Sequence, residues 1–160
     1  MYYLMGRDRR VYVPSWVNEG LGDYFFGGGW NKNPRKFVVG VNDWRVKTIH
    51  KAVKANKHVP LKDIFRYQQS DYYSKASLCY AEGWSINYFF LTSEVGKKKG
   101  YATIPSRMID ALKTGGDWEK ASDKVFAGID LKKMEEEWKE FVLALPLPPP
   151  KPGEPEEEDF

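Results

Sequence analysis

The sequence predicts a mainly α-helical single domain with at most one or two short strands. Three observations lead there. Apolar residues recur at three- and four-residue spacing in several segments, each opened by a capping residue or proline and closed by glycine or proline. Only one short run, Phe37-Val38-Val39-Gly40-Val41, leans towards a strand. With 160 residues, 42% hydrophobic and 16% aromatic, the chain is long and apolar enough to bury one real core.

Taken in order, Tyr2 to Met5 read as the tail of a helix, Arg7 to Arg10 as a charged turn, and Val11 to Val13 as extended before Pro14. Pro14 then suits a first helical turn and Gly27-Gly28-Gly29 ends the run. On the wheel between them, Trp16, Val17, Gly20, Leu21, Tyr24 and Phe25 fill one apolar half. Gly27 to Pro34 reads as a loop. Asn42 or Asp43 caps a helix from Trp44 to about Lys57, with Val46, Ile49 and Val53 inward.

Pro60 to Phe65 suggests a helical turn and Gln68 to Tyr73 a polar connection. Ser74 caps the longest helix, to about Val95, with Gly96 as its stop. Its surface is apolar nearly all round, which suits a central, covered helix. Pro105 opens a helix through Leu112, closed by Gly115-Gly116, and Asp117 caps another to Phe126. Asp130 caps the last, with Leu131, Met134, Trp138, Phe141 and Val142 inward. Residues 1–145 therefore form the domain, and 146–160, rich in proline and then in acid, a disordered tail.

Composition narrows the function classes. A net charge of +3 is too small to imply nucleic acid, and no apolar run approaches the ~20 residues of a membrane span. Met1 to Met5 are too short for the core of a signal peptide. The lone cysteine, Cys79, excludes an internal disulfide framework and carries no compartment signal.

Glu19 and Asp23 stand four apart, one above the other at the edge of the apolar arc, where an unpaired carboxylate is costly. Trp16-Val17-Asn18-Glu19-Gly20-Leu21-Gly22-Asp23-Tyr24-Phe25 resembles the W-x-x-E-G-L-A-(E/D)-Y-F segment of bacterial gluzincin-type zinc metallopeptidases, the peptidase-MA-like group. Tyr80 to Leu91 is similar to that group's Y-A-x-(S/A)-x-x-x-x-x-F-L helix, and the likeness spans roughly residues 10 to 145. The resemblance implies that Glu19 is a third zinc ligand and Asp23 the partner that orients a ligand histidine. It implies for Tyr80 the role of oxyanion stabiliser; a core tyrosine with its hydroxyl at a boundary is the plainer alternative.

The departure from the group is large. Its other two ligands and its general base come from a His-Glu-x-x-His helix upstream of the glutamate, and these 160 residues contain no such motif. Zinc is therefore expected only for a completed site, with peptide or protein as substrate, and the chain alone is expected to be inactive. The alternative is a non-catalytic helical binding module, a pseudoenzyme that keeps the fold without the metal. A part that needs a missing helix should expose Trp16 or Tyr24; a self-sufficient module should bury them.

Several features have plain readings. Glu19 and Asp23 can simply pair with Arg9, Arg10 or Arg45, or face solvent. His50 and His58, the two histidines, are eight apart, too far along one helix to share a metal, and read as surface residues. Glu82 reads as a polar-face residue. Lys97 to Lys99 favour a helix C-terminus, and Leu145 to Pro150 read as a linker.

Overall fold

The computed structural model describes residues 12–149. The architecture is helical, with one two-stranded ribbon among the described residues. Helix α1, Ser15–Phe26, starts where Pro14 stops being extended: the Pro14 carbonyl accepts from Val17 N at 2.9 Å and Asn18 N at 3.0 Å. Trp16, Val17, Gly20, Leu21 and Tyr24 are buried as the wheel predicts, whereas Phe25 is 55% exposed. It lies at the edge of the arc, flanked by the rings of Tyr24 and the ribbon's Phe37.

The predicted loop and strand are replaced by an antiparallel hairpin, β1 (Gly29–Lys32) and β2 (Arg35–Val38), with Trp30 paired to Phe37 and Lys32 to Arg35. The two-residue Asn33-Pro34 link makes the hairpin, and proline falls where no ladder N–H is needed. Helix α2, Asp43–Lys54, is capped by Asn42, whose Oδ1 accepts from Trp44 N at 3.2 Å and Arg45 N at 3.4 Å. Val46, Ile49 and Val53 point inward, as predicted.

The longest predicted helix, from Ser74 to about Val95, is broken in two at Ser93, and a separate short helix precedes it. The presumed connection around Gln68 is α4, Gln69–Ser74, started by a capping box of Gln68 and Asp71. Lys75, at φ −124° and ψ 42°, separates it from α5, Ala76–Thr92. Ser93 breaks out of helical geometry and caps α6, Glu94–Lys98, with its Oγ accepting from Gly96 N at 2.8 Å. Gly96 is thus a buried first-turn residue of α6, not a stop. Before them, α3 is the expected short turn, Leu61–Ile64.

After a 3₁₀ turn, Tyr101–Thr103, come α7, Ile104–Gly115, α8, Trp118–Phe126, and α9, Leu131–Ala144. The aspartate caps fall as read: Asp117 accepts from Glu119 N and Lys120 N, Asp130 from Lys133 N. Pro146 to Pro149 carry no helix or strand. The rest of the expected tail, the expected helix tail at Tyr2 to Met5, and Arg9 and Arg10 lie outside the described residues.

Helix α5 is the axis of the core, as its all-round apolar character predicts. Every residue from Ala81 to Asn87 is buried. Helix α1 crosses it at glycines: a Cβ on Gly20 would lie 2.4 Å from the Gly83 carbonyl oxygen. Asn87 secures the crossing, its Nδ2 donating to the carbonyls of Trp16 and Gly83, each at 2.8 Å. Trp16 enters an aromatic cluster with Phe65 (4.9 Å between centroids), Phe126 (6.0 Å) and Phe90 (6.4 Å).

Candidate functional site

The sequence puts Glu19 and Asp23 on α1 and Tyr80 on α5, 57 positions after Asp23 (80 − 23). The glycine crossing brings these three side chains to one edge of the helix pair. Glu19 and Asp23 are both half-buried there. Two further residues, Arg45 from α2 and Tyr73 from α4, complete the cluster.

Each carboxylate has its own partner. Tyr73 donates its hydroxyl to Glu19 Oε1 at 2.9 Å, and Asn18 Nδ2 donates to the same oxygen at 3.3 Å. Arg45 donates Nε–H to Asp23 Oδ2 at 2.7 Å, and its guanidinium carbon stands 5.0 Å from the Tyr80 ring centroid. Of the arginines considered from sequence, Arg45 is therefore one that pairs. The Tyr80 and Tyr73 rings lie 6.2 Å apart at 30°. Burial first, then the Glu19 charge and hydrogen bonding with Tyr73 and Glu19, push the Tyr80 phenol well above its ordinary range. Tyr80 thus stays protonated and able to donate.

Beneath them Tyr72 is fully buried, its hydroxyl without a hydrogen-bond partner among the described residues and close to Gly83. Its pKa is raised by burial first, with Cys79, Glu19 and Asp23 adding to it. Cys79 is a buried thiol pushed up to about 12, mainly by burial, and so is no nucleophile at neutral pH.

Zinc takes three or four protein ligands. Among the described residues no three His, Cys, Asp or Glu side chains are grouped so as to hold a metal ion. Glu19 can offer one ligand oxygen, but Asp23 is already committed to Arg45. The residues described do not fit a zinc site by themselves, and no chemical step follows from such a site here.

Two of the plain readings need correction. The His58 side chain is 4% exposed, not a surface histidine; its Nε2 lies 3.1 Å from Glu135 Oε1 and its ring packs on Trp138. Glu82 is 0% exposed, not a polar-face residue, and its Oε2 accepts from Val59 N at 3.0 Å. Burial pushes its carboxyl up to about 8, with the charge of Glu135 adding to the rise. Glu135 Oε2 in turn accepts from Leu61 N at 2.7 Å. The two acids hold the segment before α3 between α5 and α9, because its backbone amides have no strand or helix to pair with. The nearest sequence signal was the Val59-Pro60 break, which marks an irregular backbone needing side-chain acceptors.

Comparison with known proteins adds one finding. The family described as "Protein of unknown function (DUF1570)" matches residues 2–103, which include Glu19, Asp23, Arg45, Tyr73 and Tyr80. The chain belongs to that family. No curated protein and no solved structure matches it.

Proposed function

We propose that this member of the DUF1570 family carries the glutamate-bearing part of a gluzincin-type peptidase site, inactive alone. Peptide hydrolysis would follow only if an upstream His-Glu-x-x-His helix supplied the remaining ligands and the base. One observation carries the reading. The three positions singled out by the resemblance, Glu19, Asp23 and Tyr80, lie together at one half-open edge, linked through Arg45 and Tyr73. In the completed site Glu19 would be the third zinc ligand, Asp23 the partner of a ligand histidine, and Tyr80 a hydrogen-bond donor to the substrate oxygen.

A second reading, a pseudoenzyme that binds without catalysis, is favoured by two specific observations. Arg45 occupies the Asp23 carboxylate that a ligand imidazole would need. Trp16 and Tyr24 are buried, as expected of a self-sufficient helical module.

The test is the intact mass and zinc content of the natural product, together with peptidase assays on it and on the 160-residue chain. A product heavier than 18.5 kDa that carries His-Glu-x-x-His, one zinc per chain and a chelator-sensitive activity lost in Glu19→Ala supports the first reading. A zinc-free product of 18.5 kDa overturns it and leaves the binding module. Chelator-sensitive cleavage by the 160-residue chain alone would contradict both.

A further inference from the structure

The β1–β2 hairpin stands away from the core with its strand residues exposed, Phe37 alone being half-buried. Its antiparallel register puts Trp30, Lys32, Arg35 and Phe37 on one face, since paired residues point the same way and alternate residues share a side. The aromatic half of that face continues onto α1: Trp30 and Phe37 are 5.6 Å apart, Phe37 and Phe25 6.0 Å. Trp30 is 71% exposed, and Phe26, the last residue of α1, is 76% exposed. Lys32 and Arg35 follow directly towards the turn on that face, while Lys36, paired with Asn31, lies on the opposite one. From Tyr24 to Asn42 the chain has these three cations and no acid.

We propose that this hairpin face is a peripheral docking surface for an anionic lipid bilayer. The complementarity has two parts. Lys32 and Arg35 match the phosphate and serine or glycerol headgroups of an anionic leaflet, an attraction that each cation near the surface strengthens several-fold. Trp30, with Phe25 and Phe37 behind it, offers aromatic rings of the kind that sit at the headgroup level, where one edge is wet and one apolar. A ribbon exposed on both faces has no second wall, so it offers a folded ligand or extended polymer no concave pocket; the hollow beside Trp30, Asn31, Lys32 and Arg35 is open. A bilayer needs none. The inference is independent of Glu19. It concerns attachment to a surface, since no described helix is long and apolar enough to cross a membrane.

The test is co-sedimentation of the full 160-residue chain with vesicles of 70% phosphatidylcholine and 30% phosphatidylglycerol, against pure phosphatidylcholine. Binding is expected to the anionic vesicles only, and to fall steeply at 0.5 M salt. Lys32→Gln with Arg35→Gln should lower the partition coefficient by roughly thirtyfold, at about 1 kcal/mol per cation. Trp30→Ala should lower it while leaving the salt dependence in place. Circular dichroism on each variant checks that the helical body is intact. No binding at millimolar lipid, equal binding to neutral vesicles, or binding unmoved by the double variant overturns the proposal. So does saturable binding of polyglutamate without lipid that the same double variant abolishes, which would assign the face to an acidic protein.

Discussion

Arg45 on α2 donates Nε–H to the Asp23 carboxylate on α1 at 2.7 Å, across 22 positions of sequence. The pair ties together two helices that both pack on α5, and it is partly buried, with side chains 28% and 17% exposed. The guanidinium also faces the Tyr80 ring. Arg45→Ala should therefore cost about 1–2 kcal/mol, from the ion pair and the cation–π contact together. A double-mutant cycle with Asp23→Ala should return a coupling of about 0.5–1.5 kcal/mol by urea denaturation. A coupling indistinguishable from zero would mean the contact has no energetic content.

Glu19 should behave differently. It accepts from an exposed tyrosine and from its own neighbour, Asn18, so little of the fold rests on it. Glu19→Ala is expected to change stability by no more than ~0.5–1 kcal/mol. A half-buried acid whose removal is nearly free is what a functional residue looks like, since such sites are rarely the most stabilising choice. A loss above ~2 kcal/mol in a thermal melt would make Glu19 structural and weaken the peptidase-like reading.

Local chemistry explains which parts of this fold were legible. Asn42, Asp117 and Asp130 cap helices because a side-chain oxygen within three residues suffices, and that information is local. The break at Ser93 was not legible, because apolar residues flank it on both sides, Phe89 to Leu91 before and Val95 after, and the short helix before Lys75 lies in a polar stretch that reads as a connection. The hairpin hid behind glycines and asparagines that read as a loop. At the site, the four-residue spacing of Glu19 and Asp23 was visible, and Arg45 was one of three candidate partners. Tyr73 was not visible: only the turn of α4 presents it to Glu19. Glu82 and His58 were misread for the same reason. Their surroundings include Glu135 and Trp138, 53 to 80 positions away.

The buried Glu82 makes stability depend on pH. Its folded carboxyl is raised to about 8 from the ordinary 4.5 of a glutamate, with burial as the main cause. Between these values the folded state holds a proton that the unfolded chain releases. The stabilisation is thus fully present below pH ~4.5 and is lost as pH rises through about 8, at up to ~1.4 kcal/mol per unit. Lys75 opposes the rise, and the Val59 amide favours the charged form. Glu82→Gln keeps an acceptor for Val59 N and cannot ionise. Its urea midpoint should be flatter than the parent's between pH 5 and 8.5, and higher above pH 8. Parallel profiles would show that Glu82 does not titrate in this range.

Two glycines on α1 separate packing from propensity. A Cβ on Gly20 would stand 2.4 Å from both the Gly83 carbonyl oxygen and Asn87 Nδ2. The first is backbone of the facing helix, so the α1–α5 crossing would have to open and the Asn87 bond to Trp16 would be strained. Overpacking of this kind costs ~1–3 kcal/mol, against ~1 kcal/mol gained in helix propensity. Gly22 is exposed on the same helix, with nothing within 4 Å of its would-be Cβ. Gly22→Ala should accordingly stabilise by ~0.5–1 kcal/mol, because only the propensity gain remains. Gly20→Ala should destabilise, and would loosen the edge where Glu19, Asp23 and Tyr80 meet. Melting curves of the two variants should move in opposite directions. A shift of the same sign in both would refute the close glycine crossing on which the geometry of that edge depends.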